Sequence, residues 1–180
     1  IPWLVAHLIQ QSMEGNFGLG VGKIDLYKAF DVCDWAAIWG AGKEALPVGL
    51  HVELRPMLRT SVGTQAQLVL EGELLGEPER SRGVLQGTCG APAMCTILLN
   101  KALVRFEREC ALRGYGVPLE HRFIRIAAWA DDLVLFAKTA EELSAMTLLL
   151  DECVAELRMK IPWLNGEKIQ WIANANATLT

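Results

Sequence analysis

The sequence predicts an α+β domain in which an antiparallel sheet carries helices packed on one face. Two observations carry that prediction. Apolar runs of strand length meet acidic residues at 21–26 and 123–137, and they alternate with stretches of helical period such as Leu99, Ala102, Leu103, Phe106 and Cys110. The resulting order of strand, helices, hairpin, helix, hairpin, helix and strand suits a sheet layered with helices. With 180 residues, 52% of them hydrophobic, the chain can bury one sizeable core, and its length fits one domain or slightly more.

Each element has its own local reason. Residues 1–13 have Pro2 near their start, Gly15 just past their end, and apolar Val5, Leu8 and Ile9 at helical spacing. The glycine-rich residues 15–22 lead into a short strand at 21–26. Asp34 is placed to cap a helix over 35–46, weakened by Gly40 and Gly42 and stopped by Pro47. A second helix is expected over 49–59. Partial alternation over 64–70, a turn at Glu71-Gly72 and a return toward Arg82 predict a hairpin. Residues 83–92 read as a glycine-rich loop, and from Ala93 a helix runs until Gly114. Residues 123–137 read as two strands meeting at an acidic turn. Thr139 and Glu142 form a capping box for a helix with Leu143, Met146, Leu150, Val154 and Leu157 on its buried stripe, ended by Pro162. A turn at Asn165-Gly166 and a last strand over 168–173 follow.

Composition narrows the function classes. No stretch reaches the roughly 18 to 20 apolar residues of a membrane span, and the first residues lack the pattern of a secretory leader, so no membrane partner is expected. The chain begins at Ile1, which suggests a piece of something longer. Cys33, Cys89, Cys95, Cys110 and Cys153 show no Cys-x-x-Cys spacing and read as buried reduced thiols. A net charge of −4 weighs against a generic nucleic-acid binder. The balance is uneven, because residues 101–125 hold six bases against three acids, which reads either as a backbone-binding face or as a solvated helix face.

The sharpest chemical feature is Asp131-Asp132 inside the most hydrophobic part of the chain. Two neighbouring ionised carboxylates repel, and a divalent cation is the natural compensation. Taken alone, such a pair is also what an exposed hairpin tip looks like. Asp25, at the end of another apolar run, makes a third acid, and two adjacent strands ending in carboxylates would gather all three at one rim. Hard oxygen ligands of this kind suit Mg²⁺, with Mn²⁺ as a substitute, and two such ions suit an in-line displacement at phosphorus.

These residues lie in a wider pattern. Asp25-Leu-Tyr-Lys-Ala-Phe-Asp31 with Cys33-Asp34-Trp35, then Arg82-Gly-Val-Leu-Gln-Gly-Thr-Cys-Gly-Ala-Pro92, then Trp129-Ala-Asp-Asp132 resemble, in order, three palm motifs of non-LTR retrotransposon reverse transcriptases. A weaker fourth runs from Leu157-Arg-Met-Lys160 to Leu164-Asn-Gly-Glu-Lys168. The resemblance covers residues 22–172 and implies a reverse-transcriptase palm with a remnant of fingers and no thumb. It implies that Asp25 and Asp131 bind both metals, that the Leu26 carbonyl adds a ligand, and that Asp132 completes the site. Phe30 falls where an aromatic excludes a ribose 2′-hydroxyl, though a core phenylalanine reads equally well there. Gln86 and Gly87 match the loop against the incoming nucleotide, and Lys168 matches a lysine near the departing pyrophosphate, or is an ordinary exposed lysine. Trp129 stands where tyrosine or phenylalanine is usual, at the primer end.

The implied activity is RNA-directed DNA polymerisation within a retrotransposon polyprotein, with an RNA template, a DNA primer and dNTPs as partners and a nuclear location by analogy. The missing fingers, thumb and any endonuclease would lie elsewhere in such a polyprotein. A decayed or domesticated palm that binds nucleic acid or protein without catalysis is the alternative, and an acidic α+β interaction domain ranks third.

Overall fold

The structure, a computed structural model, describes residues 2–62, 67–76, 81–85, 87–163 and 169–174. The chain divides into two compact units, one formed by Ile1–Tyr27 with Asn100–Thr180 and the other by Lys28–Leu99. Among the described residues, no helix is long and apolar enough to cross a membrane.

The first unit is built on a four-stranded antiparallel sheet in the order β6-β7-β1-β8, with β1 at Gly20–Asp25, β6 at Ile126–Trp129, β7 at Asp132–Ala137 and β8 at Ile169–Ala173. Strands β1 and β7 pair from Gly20↔Ala137 to Asp25↔Asp132, and β6 and β7 from Ile126↔Leu135 to Trp129↔Asp132. Opposed residues share a face, so Val21, Lys23 and Asp25 line up with Phe136, Val134 and Asp132. Helix α6 (Ala140–Ala155) covers the other face: a Cβ added at Gly20 or Gly22 would come within 3.3 Å of a Leu143 methyl. The predicted helical cover is therefore present. In addition, α1 (Pro2–Gly15) lies on the Val21 side, where Leu8, Val21, Val134 and Phe136 form a buried cluster.

Helix ends in this unit follow one recurring device. In α6, the Thr139 side chain accepts from the Glu142 amide at 3.1 Å, as the capping box predicts, while the Glu142 carboxylate accepts from the amides of Lys138 and Gly116. The same helix ends well before Pro162. Arg158 adopts φ +61°, and Met159 N donates to Val154 O while Arg158 N donates to Ala155 O, the paired bonds of a Schellman motif. Asn16 ends α1 in this way (φ +50°, Phe17 N to Ser12 O), and Gly114 ends α5 (Ala91–Leu112). A short hairpin of β4 (Val117–Leu119) and β5 (Arg122–Ile124) precedes β6. It lies within and before the run that the sequence reading assigned to two strands.

The second unit holds α2 (Ala29–Val32), α3 (Trp35–Ala45), a 3₁₀ turn at Val48–Leu50, α4 (His51–Arg59) and the first turns of α5. Asp34 caps α3, its carboxylate accepting from the Ala37 amide at 2.8 Å. Gly42 is more than a weak point in this helix: a Cβ there would sit 2.2 Å from a Leu54 methyl, so its absence lets α3 and α4 approach. Strands β2 (Leu68–Leu70) and β3 (Glu73–Gly76) form the predicted hairpin, with Glu71 and Gly72 at φ +53° and +88°. Both central residues in the left-handed region are what a two-residue turn needs to match strand twist. The Asn165-Gly166 turn lies outside the described residues.

Four of the five cysteines are buried free thiols and Cys89 is exposed, which corrects the expectation for that residue. Burial, aided by the nearby Glu107 charge, pushes the Cys110 thiol from 9.0 up to about 12. The native fold thus holds a proton that the unfolded chain gives up above about 9. This thiol's contribution to stability is complete below that value and is lost as pH rises toward about 12. Alkaline titration of the unfolding midpoint should show the loss, and Cys110→Ala should reduce it. Gly42→Ala should lower stability by about 1–3 kcal/mol through overpacking. Gly40→Ala, where a Cβ meets nothing within 4 Å, should raise it by about 1 kcal/mol, as read by denaturant unfolding.

Candidate functional site

The antiparallel register assembles the site. Asp25 ends β1 and Asp132 begins β7, and the two are direct partners across the strand pair. Opposed Cα atoms in such a pair lie about 4.5–5.5 Å apart. Trp129 is the partner of Asp132 on the other side, so Trp129, Asp132 and Asp25 form one row across three strands. Asp131 occupies the two-residue β6–β7 turn beside Ala130, whose φ of +52° is a left-handed conformation that costs a non-glycine residue energy. Leu26, the next residue after Asp25, is buried, and Tyr27 N donates to Lys160 O at 3.0 Å, fixing the chain just past the rim.

The row is accessible. Asp25 and Asp131 are half-buried, Asp132 is exposed, and Trp129 is 75% exposed. Lys23, two residues before Asp25 on the same face, places its ammonium 3.6 Å from Asp132 Oδ1, with both side chains about half exposed at 54% and 51%. Beside them a cavity of about 640 Å³ opens between α1 and the sheet, walled by Val5, Ala6 and Ile9 and by Val21, Val134 and Ile172. Lys23, Asp132, Trp129 and Gln170 border it.

The donor set suits a hard divalent ion, since three carboxylates and a backbone carbonyl stand at one end of a sheet. Side-chain convergence is another matter: among the described residues no three His, Cys, Asp or Glu side chains are gathered to hold an ion. The fit is therefore one of donor chemistry and backbone placement, with the Lys23 ammonium standing against one of the acids.

Other predicted site residues belong to the second unit. Phe30 is half-buried, and its carbonyl accepts from the Val84 amide at 2.8 Å, while Cys33 O accepts from the Gly83 amide at 2.7 Å. These bonds fasten the start of the glycine-rich loop to α2. Gly87 is exposed with φ +87°, a conformation that glycine adopts without strain. Gln86 and Lys168 lie outside the described residues. The basic surplus of 101–125 is largely engaged: Arg105 pairs with Glu156, Arg113 with Glu109 at 2.8 Å, and Arg125 with Glu107 at 3.2 Å. Sequence reasoning missed Lys23, although a lysine two positions before Asp25 on a predicted strand must share its face.

Known structures share this architecture. Apo telomerase from Candida tropicalis, truncated from its C-terminal domain, aligns with a TM-score of 0.60 at 12% identity, covering 97% of this chain and 34% of that one. Telomerase from Candida albicans in complex with a TWJ fragment of telomeric RNA aligns with a TM-score of 0.61 at 12% identity over 95% of this chain and 29% of the other. The corresponding Candida tropicalis complex gives 0.63 at 12% identity over 97% and 29%. The chain thus has a reverse-transcriptase-like α+β fold and spans about a third of the length of these neighbours. It belongs to the reverse transcriptase (RNA-dependent DNA polymerase) family, which it matches over residues 15–177. No curated protein matches it.

Ala130 supplies a direct check on the turn. Ala130→Gly should relieve the left-handed strain and raise stability by about 1 kcal/mol, measured by denaturant unfolding. A loss of stability would mean that the turn does not adopt this conformation.

Proposed function

We propose that this chain is the palm of a non-LTR retrotransposon reverse transcriptase, an RNA-directed DNA polymerase that extends a DNA primer on an RNA template. The observation that carries this reading is the row formed by Asp25, Asp132 and Trp129, with Asp131 in the adjoining turn. Family membership over residues 15–177 supports the polymerase class, and the four ordered motifs support the retrotransposon type.

In this reading the primer 3′-hydroxyl attacks the α-phosphate of a dNTP at the acidic rim. Asp25 and Asp131 would hold Mg²⁺, or Mn²⁺ in its place, with Asp132 and the Leu26 carbonyl completing the donor set. Bound there, divalent ions supply the charge that activates a hydroxyl and offsets a leaving phosphate oxygen. Trp129 offers an exposed ring at the primer end. Phe30 selects the deoxyribose, Gln86 and Gly87 let backbone lie against the nucleotide, and Lys168 attends the pyrophosphate. Fingers and thumb from the rest of a polyprotein, with an endonuclease where one is encoded, complete the enzyme, which works in the nucleus.

A second reading has its own support. The Lys23 ammonium lies 3.6 Å from Asp132 Oδ1, and among the described residues no three His, Cys, Asp or Glu side chains are gathered to hold an ion, as a non-catalytic palm would allow. Primer extension on a defined RNA template, with the chain restored to its flanking sequence, separates the two. Extension that Asp131→Ala/Asp132→Ala lowers by about 10³-fold or more is the expected result. A folded protein that binds primer–template yet never extends it would overturn the polymerase reading in favour of the second.

A further inference from the structure

We propose that Asp151 is a positioning residue: its carboxylate on α6, acting through two peptide groups in series, sets the direction of the Leu26 carbonyl at the end of β1. Its effect on catalysis rests on the polymerase reading above and deepens it.

Both oxygens of Asp151 are engaged by the segment that follows α6. Oδ1 accepts from the Ile161 amide at 3.3 Å, and Oδ2 accepts from the Trp163 indole Nε1 at 3.0 Å. Past the Arg158 cap the chain therefore turns back toward α6, where one side chain grips it at two points. The Ile161 amide belongs to the same peptide group as the Lys160 carbonyl, and that carbonyl accepts from Tyr27 N at 3.0 Å. Tyr27 N in turn shares a peptide group with the Leu26 carbonyl. No peptide among the described residues is cis, and in a planar trans peptide the N–H and the C=O point in opposite directions. Turning one group turns the next. The Asp151 carboxylate orients the 160–161 peptide, and that peptide orients the 26–27 peptide.

The strength of the first bond is passed along the series. A hydrogen bond accepted by a carboxylate is stronger than a neutral one, and it polarises the peptide beyond it, which makes the Lys160 oxygen a better acceptor. Leu26, Met159 and Ile161 are at most 4% exposed, so little water competes for these groups. Leu26 directly follows Asp25, so the peptide held in this way is the one through which the strand leaves the acidic row. Position matters there, because a misplacement of about 1 Å can cost about 10²-fold in rate.

The test combines hydrogen exchange read at single residues with primer extension, both on the chain restored to its flanking sequence. The reference is the Phe136 amide, which donates to Arg125 O within the same unit. Asp151→Ala should speed exchange of the Tyr27 amide by about tenfold relative to that reference. The same variant should lower kcat by about 10-fold to 10²-fold at an unchanged KM for dNTP. Asp151→Asn, which keeps an oxygen for the Ile161 amide, should bring both readouts close to the wild type. If Asp151→Ala does not fold, Asp151→Leu, similar in shape and without an acceptor, takes its place. A Tyr27 amide as well protected in these variants as in the wild type overturns the linkage and leaves the polymerase reading standing. Faster exchange with kcat unchanged overturns the positioning role. A folded wild type that never extends the primer overturns the polymerase reading and the positioning role in catalysis together, and exchange at Tyr27 then decides the linkage by itself.

Discussion

The register between β1 and β7 is the constraint on which the rest of the first unit depends. Six residues pair in step, and the last pair is Asp25 with Asp132. Because side chains alternate between faces, a slip of one residue in β1 would exchange every inward and outward position of that strand. Val21 would leave the cluster it forms with Leu8, Val134 and Phe136, and Gly20 and Gly22 would no longer meet Leu143. The two faces are built for different partners. One is made shallow by glycines so that α6 can approach, and the other is filled by the apolar residues under α1. Packing on both faces therefore fixes the register, and the register delivers two carboxylates to one row. The acidic rim is a by-product of core packing in this sense: no contact among the acids themselves is needed to bring them together.

Connections reinforce that arrangement. Only Lys138 and Thr139 separate β7 from α6, and Thr139 caps the helix, so the strand that begins with Asp132 is tied directly to the helix beneath it. At the other edge of the sheet, Asn174 stitches the end of β8 to the α1–β1 connection. Its amide accepts from Leu19 N at 3.0 Å and donates to Phe17 O at 3.0 Å and Ser12 Oγ at 3.2 Å. The Ala130 turn joins β6 to β7, and the pairing of β7 with strands on both of its sides holds that turn in its left-handed conformation.

Much of this was legible in the sequence because its signals are local. Asp34 and Thr139 announce helix starts through side chains that accept nearby amides, and both do so here. Glu71-Gly72 announces a turn and makes one. Helix ends were harder to read. Arg158 and Asn16 take the left-handed cap that glycine usually fills, and each is followed by an apolar residue that packs inward, Met159 buried and Phe17 partly buried. Met159, just past the α6 cap, is buried at 1% exposure, a tertiary fact that local propensity does not carry. The β4–β5 hairpin was hidden for a related reason. Glu120 takes φ +51° in its turn, with no glycine or asparagine at that position to mark it. The acids of the rim were visible as isolated residues, but their pairing, and the presence of Lys23 among them, required the register.

Charge gives the rim its character. Three carboxylates, one of them paired with the Lys23 ammonium, stand where, under the proposed function, a polyanionic primer and a triphosphate must meet. Nucleic-acid affinity ordinarily comes from lysines and arginines that neutralise phosphates. In this chain the arginines at 105, 113 and 125 are paired with glutamates instead. Under the proposed function, bound divalent cations would offset the repulsion between the rim carboxylates and phosphate.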